Sequence, residues 1–209
     1  MGVLTKNQIL QSIQAGELGF EPALDKFQLQ EHSVDLRLGF TFMIPKSWAM
    51  APQGRVALNV NYGENRKNFD IVELEAGQYF EILPGEFVAV STLEKVKIPG
   101  GIMAVLYPRS SINRRGLSVD LSGVIDAGYE GRLLVPVRNN TVSQVIRVYP
   151  GERFCQLVFE ELNDKVAKKQ GRYHNKDVVV GVLKEKSKRE ESLVRKGKIQ
   201  DLKKLFPLV

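Results

Sequence analysis

An arginine followed by two serines, Pro108-Arg109-Ser110-Ser111, closes an apolar run and offers a guanidinium fork with two hydroxyls, donors suited to phosphate oxygens. The same residue types also cap ordinary turns. Further along, Gly123-Val124-Ile125-Asp126-Ala127-Gly128-Tyr129-Glu130-Gly131 places a carboxylate at the turn of a hairpin. There Asp126 either activates a water or simply closes the turn. Tyr129 offers its ring to a sugar or base, or else to the core. A third block, Pro150-Gly151-Glu152-Arg153 with Gln156, adds polar groups at the start of another apolar run.

The elements around these blocks have readable signals. Thr5-Lys6-Asn7-Gln8 is a capping-box pattern, and Ile9, Leu10 and Ile13 share a helical face before Gly16, which predicts a helix over 5–15. From 34 to 161 the pattern changes to short runs rich in Val, Ile, Leu and Phe between Gly, Pro and Asn, the mark of a many-stranded β body. Two segments inside it rhyme. Leu83-Pro84-Gly85-Glu86 and Tyr149-Pro150-Gly151-Glu152 each precede a buried-strand pattern, and Pro-Gly predicts a type II turn in both. Jelly rolls, built from two Greek keys, can produce such rhymes. The stretch 47–68 reads as a long hairpin excursion or loop. At the far end, a second capping box at Ser187–Glu190 and apolar residues Leu193, Ile199, Leu202 and Phe206 predict a helix over about 188–205, weakened by Gly197.

Composition narrows the function classes. With 209 residues and 43% apolar content, the chain suits one globular domain with an appendage. No run of eighteen apolar residues occurs and the start lacks a signal-peptide pattern, so a cytoplasmic protein without membrane contact is expected. Cys155 has no second cysteine and reads as a buried thiol. Residues 184–204 hold nine Lys/Arg against four acids, which is +5 of the net +6. The remaining body is nearly neutral, and no nucleic-acid groove is expected in it.

Taken in order, the blocks resemble the dUTPase and dCTP-deaminase superfamily. The resemblance runs from the opening helix to about Gly181, dividing the chain into a domain over 1–181 and a basic amphipathic tail over 182–209. The segment Ser33-Val34-Asp35-Leu36-Arg37-Leu38-Gly39 is similar to the deaminase branch, whereas Gly123–Tyr129 and Gly151–Gln156 are similar to dUTPase motifs. The resemblance implies a mainly β, distorted jelly-roll barrel that forms a homotrimer with sites between subunits. Asp126 would be the general base for a water attacking phosphorus. Arg109, Ser110 and Ser111 would receive phosphates from a neighbouring subunit, and Gln156 would bond near the α-phosphate. Tyr129 would close on the deoxyribose, and Asp35 would help hold a hydrated Mg²⁺ or brace the site. Arg172, in Gln170-Gly171-Arg172-Tyr173, would clamp phosphate from a lid like that of the deaminase branch. Asp120 stands near where dUTPases present an asparagine to the base. As a carboxylate it would accept from uracil N3–H or cytosine N4–H₂.

The deaminase branch carries a glutamate five residues after the hairpin glycine, and here Pro136 occupies that place, with no group to move protons. The expectation is therefore a Mg²⁺-dependent dUTP diphosphatase. The alternatives are a dCTP deaminase or dCTP-directed pyrophosphatase, and a non-catalytic nucleotide-binding module.

Overall fold

The computed structural model describes residues 2–58, 68–120, 123–166 and 188–207. Helix α1 (Lys6–Gln14) starts where the capping box predicts: the Thr5 backbone N–H donates to the Gln8 side chain at 2.9 Å. Ile9 is fully buried and Ile13 packs on the core, and Gly16 ends the helix at a φ of 70°.

The body is mainly β, as expected. Its strands are β1 (Gly19–Glu21), β2 (Val34–Pro45), β3 (Trp48–Ala51), β4 (Gly54–Ala57), β5 (Phe69–Glu73), β6 (Phe80–Ile82) and β7 (Phe87–Lys97). They continue with β8 (Ile102–Pro108), β9 (Leu117–Val119), β10 (Val124–Ile125), β11 (Glu130–Asn139), β12 (Ile146–Val148) and β13 (Arg153–Glu161), with a short helix α2 (Ser110–Asn113) after β8. A curled antiparallel sheet runs β10-β8-β13-β2-β7-β11-β9, with β1 added on β7 and β5 on β2. Its inner face is closed by Phe42, Phe154, Phe159, Leu36, Leu106 and Leu157, each below 3% exposed.

Strand β2 turns the corner of this sheet. Its first residues pair with β13 (Asp35 opposite Gln156), while the later ones pair with β7 and β5. Gly39 sits at the change of partner: a Cβ there would lie 2.8 Å from the Thr92 carbonyl and closer still to the Ser91 hydroxyl. Only a residue without a side chain lets the two backbones approach so closely.

The rhyming turns share one construction. Gly85 and Gly151 have φ of 74° and 90°, Glu86 N–H donates to Leu83 O and Glu152 N–H to Tyr149 O, both at 3.0 Å. In each, the glutamate then folds back to accept from the N–H three residues earlier, at 2.7 Å from Leu83 and 3.3 Å from Tyr149. Strands β6 and β12 pair antiparallel, Ile82 opposite Ile146 and Phe80 opposite Val148, which sets one turn at each end of a two-stranded ribbon.

The excursion over 47–68 contains the β3–β4 hairpin. At the other end the expected helix is two, α3 (Lys188–Arg195) and α4 (Ile199–Leu205). The break falls at Gly197, with a φ of 69° that a continuous helix cannot hold. Helix α4 buries no residue. Ser187, the expected cap, lies outside the described residues. Among the described residues, no helix is long and apolar enough to cross a membrane.

Candidate functional site

Three neighbouring strands deliver one polar corner. In the register, Gln156 on β13 lies opposite Asp35 on β2 and Tyr107 on β8, Arg109 follows β8 directly, and Arg153 opens β13. The Asp35 side chain is 2% exposed, and its Oδ2 accepts from both Arg109 Nε at 3.0 Å and Arg153 Nη1 at 3.1 Å. Burial pushes the Asp35 carboxyl up, and the two guanidiniums pull it part of the way back. Arg109 Nη1 also donates to Arg153 O at 3.2 Å, and Arg153 donates to Phe27 O. Gln156 accepts from Ser33 Oγ at 3.1 Å and donates to Pro108 O at 3.3 Å. Ser110 and Ser111 open α2 beside this corner and are exposed.

Asp35 therefore braces two arginines whose outer edges stay about a quarter exposed. That makes a net-cationic, preorganised corner, the chemistry expected of a phosphate site. Of the two roles expected of Asp35, the brace is the one this geometry describes, with Oδ2 shared by two cations and the side chain 2% exposed.

The hairpin that carries Asp126 is built differently. Asp126 is exposed between β10 and β11, its carbonyl accepts from Tyr129 N–H at 3.1 Å, and Gly128, at a φ of 82°, donates to Ile98 O at 3.1 Å. Tyr129 packs against the core, its hydroxyl donates to Arg132 O at 2.8 Å, and burial pushes its phenol up to about 12. The partly buried ring thus braces the hairpin, the core contact that was one of the two roles open to it.

Within one chain the two groups stand apart. Ile125 pairs with Ala104, so Asp126 adjoins the start of β8 while Arg109 follows its end. Six residues of extended strand separate those positions, roughly 20 Å at 3.3 Å per residue. The structure brings together Asp35, Arg109, Gln156 and the two serines, and leaves Asp126 and Tyr129 at the opposite end.

Asp120 follows β9 and is exposed; its N–H donates to Pro136 O at 3.0 Å. Its carboxylate accepts from Ser118 Oγ at 2.5 Å and lies 3.7 Å from Arg138 Nε. Pro136 is tolerated in β11 because the carbonyl and ring nitrogen of one residue face the same neighbour, and on that side β9 ends at Val119. Arg172 lies outside the described residues.

Two contributors escaped the sequence reading. Arg153 stood in a recognised block without a role. Glu94 is 1% exposed and hydrogen bonded to Gln28 and to the Arg37 backbone. The alternation of Thr92, Glu94, Val96 and Ile98 against Lys95 and Lys97 was a signal that an acid points inward.

Comparison with known proteins fits this architecture. A family model described as dCTP deaminase-like matches residues 3–162. A protein of Sulfurihydrogenibium sp. named "dCTP deaminase, dUMP-forming" is 37% identical over 82% of this chain and 91% of its own length. One of the same name from Dictyoglomus thermophilum is 34% identical over 83% and 90%. The crystal structure of 2'-deoxycytidine 5'-triphosphate deaminase from Agrobacterium tumefaciens superposes with a TM-score of 0.58 at 27% identity, covering 76% of this chain. The chain spans about half (48%) of that structure's length. These relatives overturn the expectation of a plain dUTP diphosphatase: their names join removal of the cytosine amino group to formation of the monophosphate. The inference from Pro136 failed because it weighed one position against similarity that runs through the whole β body, which belongs to the dCTP deaminase-like family.

Proposed function

We propose that this chain acts on dCTP and releases dUMP, ammonia and pyrophosphate, consuming two waters. Kinship with dUMP-forming dCTP deaminases over more than four-fifths of the chain carries this reading. The braced Arg109–Arg153 corner supplies what a triphosphate needs, fixed cations that require no rearrangement on binding. A magnesium ion would enter on the phosphates of the substrate itself.

Because the corner and Asp126 lie roughly 20 Å apart in one chain, the complete site requires a second copy, and a homotrimer with shared sites is the assembly we infer. Arg109, Ser110, Ser111 and Gln156 of one subunit would hold the triphosphate. From its neighbour, exposed Asp126 would take the proton of the water that attacks phosphorus. At the base, a water must add to C4 of cytosine while protons move to N3 and then to the leaving amine. Pro136 cannot serve, and Asp120, tied by its backbone to Pro136, brings a carboxylate to that strand position. Arg172 would act from a lid, as the resemblance implies.

Incubation with dCTP and with dUTP, reading ammonia and pyrophosphate separately, tests the proposal. Ammonia and pyrophosphate in equal amounts from dCTP are expected, and Asp120→Asn should lower ammonia release by about 10²-fold or more. Pyrophosphate from dCTP without ammonia would refute deamination.

A further inference from the structure

Glu94 is a fully buried carboxylate with no place in the chemistry above. It lies on the inner side of β7, where β2 leaves its pairing with that strand to join β13; the last β2–β7 pair before the change is Leu38 with Thr92. Arg37 N–H, one residue earlier, donates to Glu94 Oε2 at 2.9 Å, so a side chain takes over from the ladder. The other oxygen, Oε1, accepts from Gln28 Nε2 at 2.7 Å.

Gln28 in turn grips Asp35 from both sides. Its Nε2 donates to Asp35 O at 2.9 Å, and its own backbone carbonyl accepts Asp35 N–H at 2.8 Å. The Gln28 Oε1 is used as well, accepting from Asp25 N–H at 3.2 Å. Asp35 then fixes Arg109 and Arg153 through its Oδ2. A continuous path of hydrogen bonds therefore runs from Glu94 through Gln28 and Asp35 to the exposed guanidiniums.

We propose that Glu94 is a positioning residue for the anion-binding corner: through Gln28 it sets the backbone of Asp35, and so the direction in which Arg109 and Arg153 present their guanidiniums to the phosphates of the substrate. This rests on the reading of that corner as the triphosphate site. The path needs a group that accepts at both ends. A glutamine at position 94 would accept from Arg37 N–H with its oxygen, but would turn its NH₂ against the NH₂ of Gln28. Flipping the Gln28 amide relieves that conflict and creates two others, oxygen against Asp35 O and NH₂ against Asp25 N–H. No arrangement of two amides satisfies all four partners.

The test uses the full chain and inorganic tripolyphosphate as probe, with affinity read by calorimetry and folding by thermal melting. Glu94→Gln should weaken tripolyphosphate binding by about tenfold, the effect of one lost charge-assisted hydrogen bond. In an Arg109→Ala background the same substitution should cost less than about threefold, because the group it directs is gone. An equal loss in both backgrounds, or unchanged affinity with a lowered melting temperature, would show a merely structural role and overturn the proposal. If the amide variant does not fold, Glu94→Asp keeps the charge and loses one methylene of reach. A smaller loss is expected there, again shrinking in the Arg109→Ala background, and no loss would overturn the proposal. Binding of tripolyphosphate without binding of dCTP would sink the substrate assignment and leave the Glu94 test intact. Failure of the wild type to bind tripolyphosphate would remove both the corner and the inference.

Discussion

The two ends of β8 are built on opposite plans. At one, Asp35, Arg109 and Arg153 are tied to each other and, through the Asp35 backbone, to buried Gln28 and Glu94, so the cations are aimed before any ligand arrives. At the other, Asp126 is an exposed carboxylate on a hairpin whose rigidity comes from Tyr129 and Gly128 behind it. A binding corner gains from preorganisation, since order fixed in folding is not lost again on association. A carboxylate that is to act on a water must be within its reach, which an exposed position provides. The difference predicts two kinds of damage: losing the brace at the first end should cost stability, and losing the exposed Asp126 carboxylate at the second should not.

The largest effect is expected at the exposed end. Asp126→Asn should cut pyrophosphate release by about 10²–10⁴-fold while the melting temperature stays within experimental error, and a variant that melts early would erase the contrast. Mixing Asp126→Asn subunits with Arg109→Ala subunits, unfolding them and refolding together, should restore activity at about a quarter of the sites, since half of each contributing position is intact. No recovery would place both groups in one subunit's site.

At the braced end the cost should appear in stability. Asp35→Ala leaves two guanidiniums without their shared counter-charge and should lower unfolding free energy by about 3 kcal/mol, the low end for a broken buried pair because both arginines keep partial contact with water. Denaturant unfolding would measure it, and a change below about 0.5 kcal/mol would mean that the corner is held by its backbone bonds alone.

A smaller effect concerns pH. Burial raises the Glu94 carboxyl above its ordinary value, with Arg37 and Gln28 opposing, so the folded state binds this proton more tightly than the unfolded chain. Its contribution to stability is full below the unfolded value, near 4.5, and is lost as pH rises through the folded one. The melting temperature of the wild type relative to Glu94→Gln should therefore rise as pH falls from 7 towards 4.5, whereas a constant difference would contradict the assigned shift. The smallest effect is expected from removing 188–209: α3 and α4 pack mainly on each other, and kcat on dCTP should change by less than about twofold.

Much of the fold was legible because it is written in local chemistry. The Thr5–Gln8 cap, the Pro-Gly turns and the alternating strands each carry their own signal within a few residues. Arg109 and Asp35 were legible as members of blocks, yet their bond to each other was not, because 74 positions separate them in the chain. Glu94 was hidden for the same reason: an inward acid in a strand is readable, but its partners Gln28 and Arg37 come from a loop and a strand start far upstream. Tyr129 was open between core and ligand in the sequence, and its bond to the Arg132 carbonyl, which ties it to the hairpin, could not be read there. Pro136 misled in another way. Its chemistry was read correctly, but the cross-strand contact that sets Asp120 beside it depends on β9–β11 register, which no local pattern encodes.

The paired Pro-Gly-Glu turns have a consequence for how the chain reaches this fold. Each closes with bonds spanning only three residues, proline and glycine preset the dihedrals, and so little entropy is spent in closing either. The β6–β12 pairing then joins strands about 60 residues apart, with one turn at each end of the ribbon, and encloses β7 to β11 between them. Early closure would preset each turn as a hook at one end of that ribbon, fixing where its strands stop and so lowering the entropy lost in a topology whose contacts are otherwise mostly distant in sequence. Glu86→Ala and Glu152→Ala should then slow refolding more than they speed unfolding, and stopped-flow kinetics showing only faster unfolding would mean that the hooks form late.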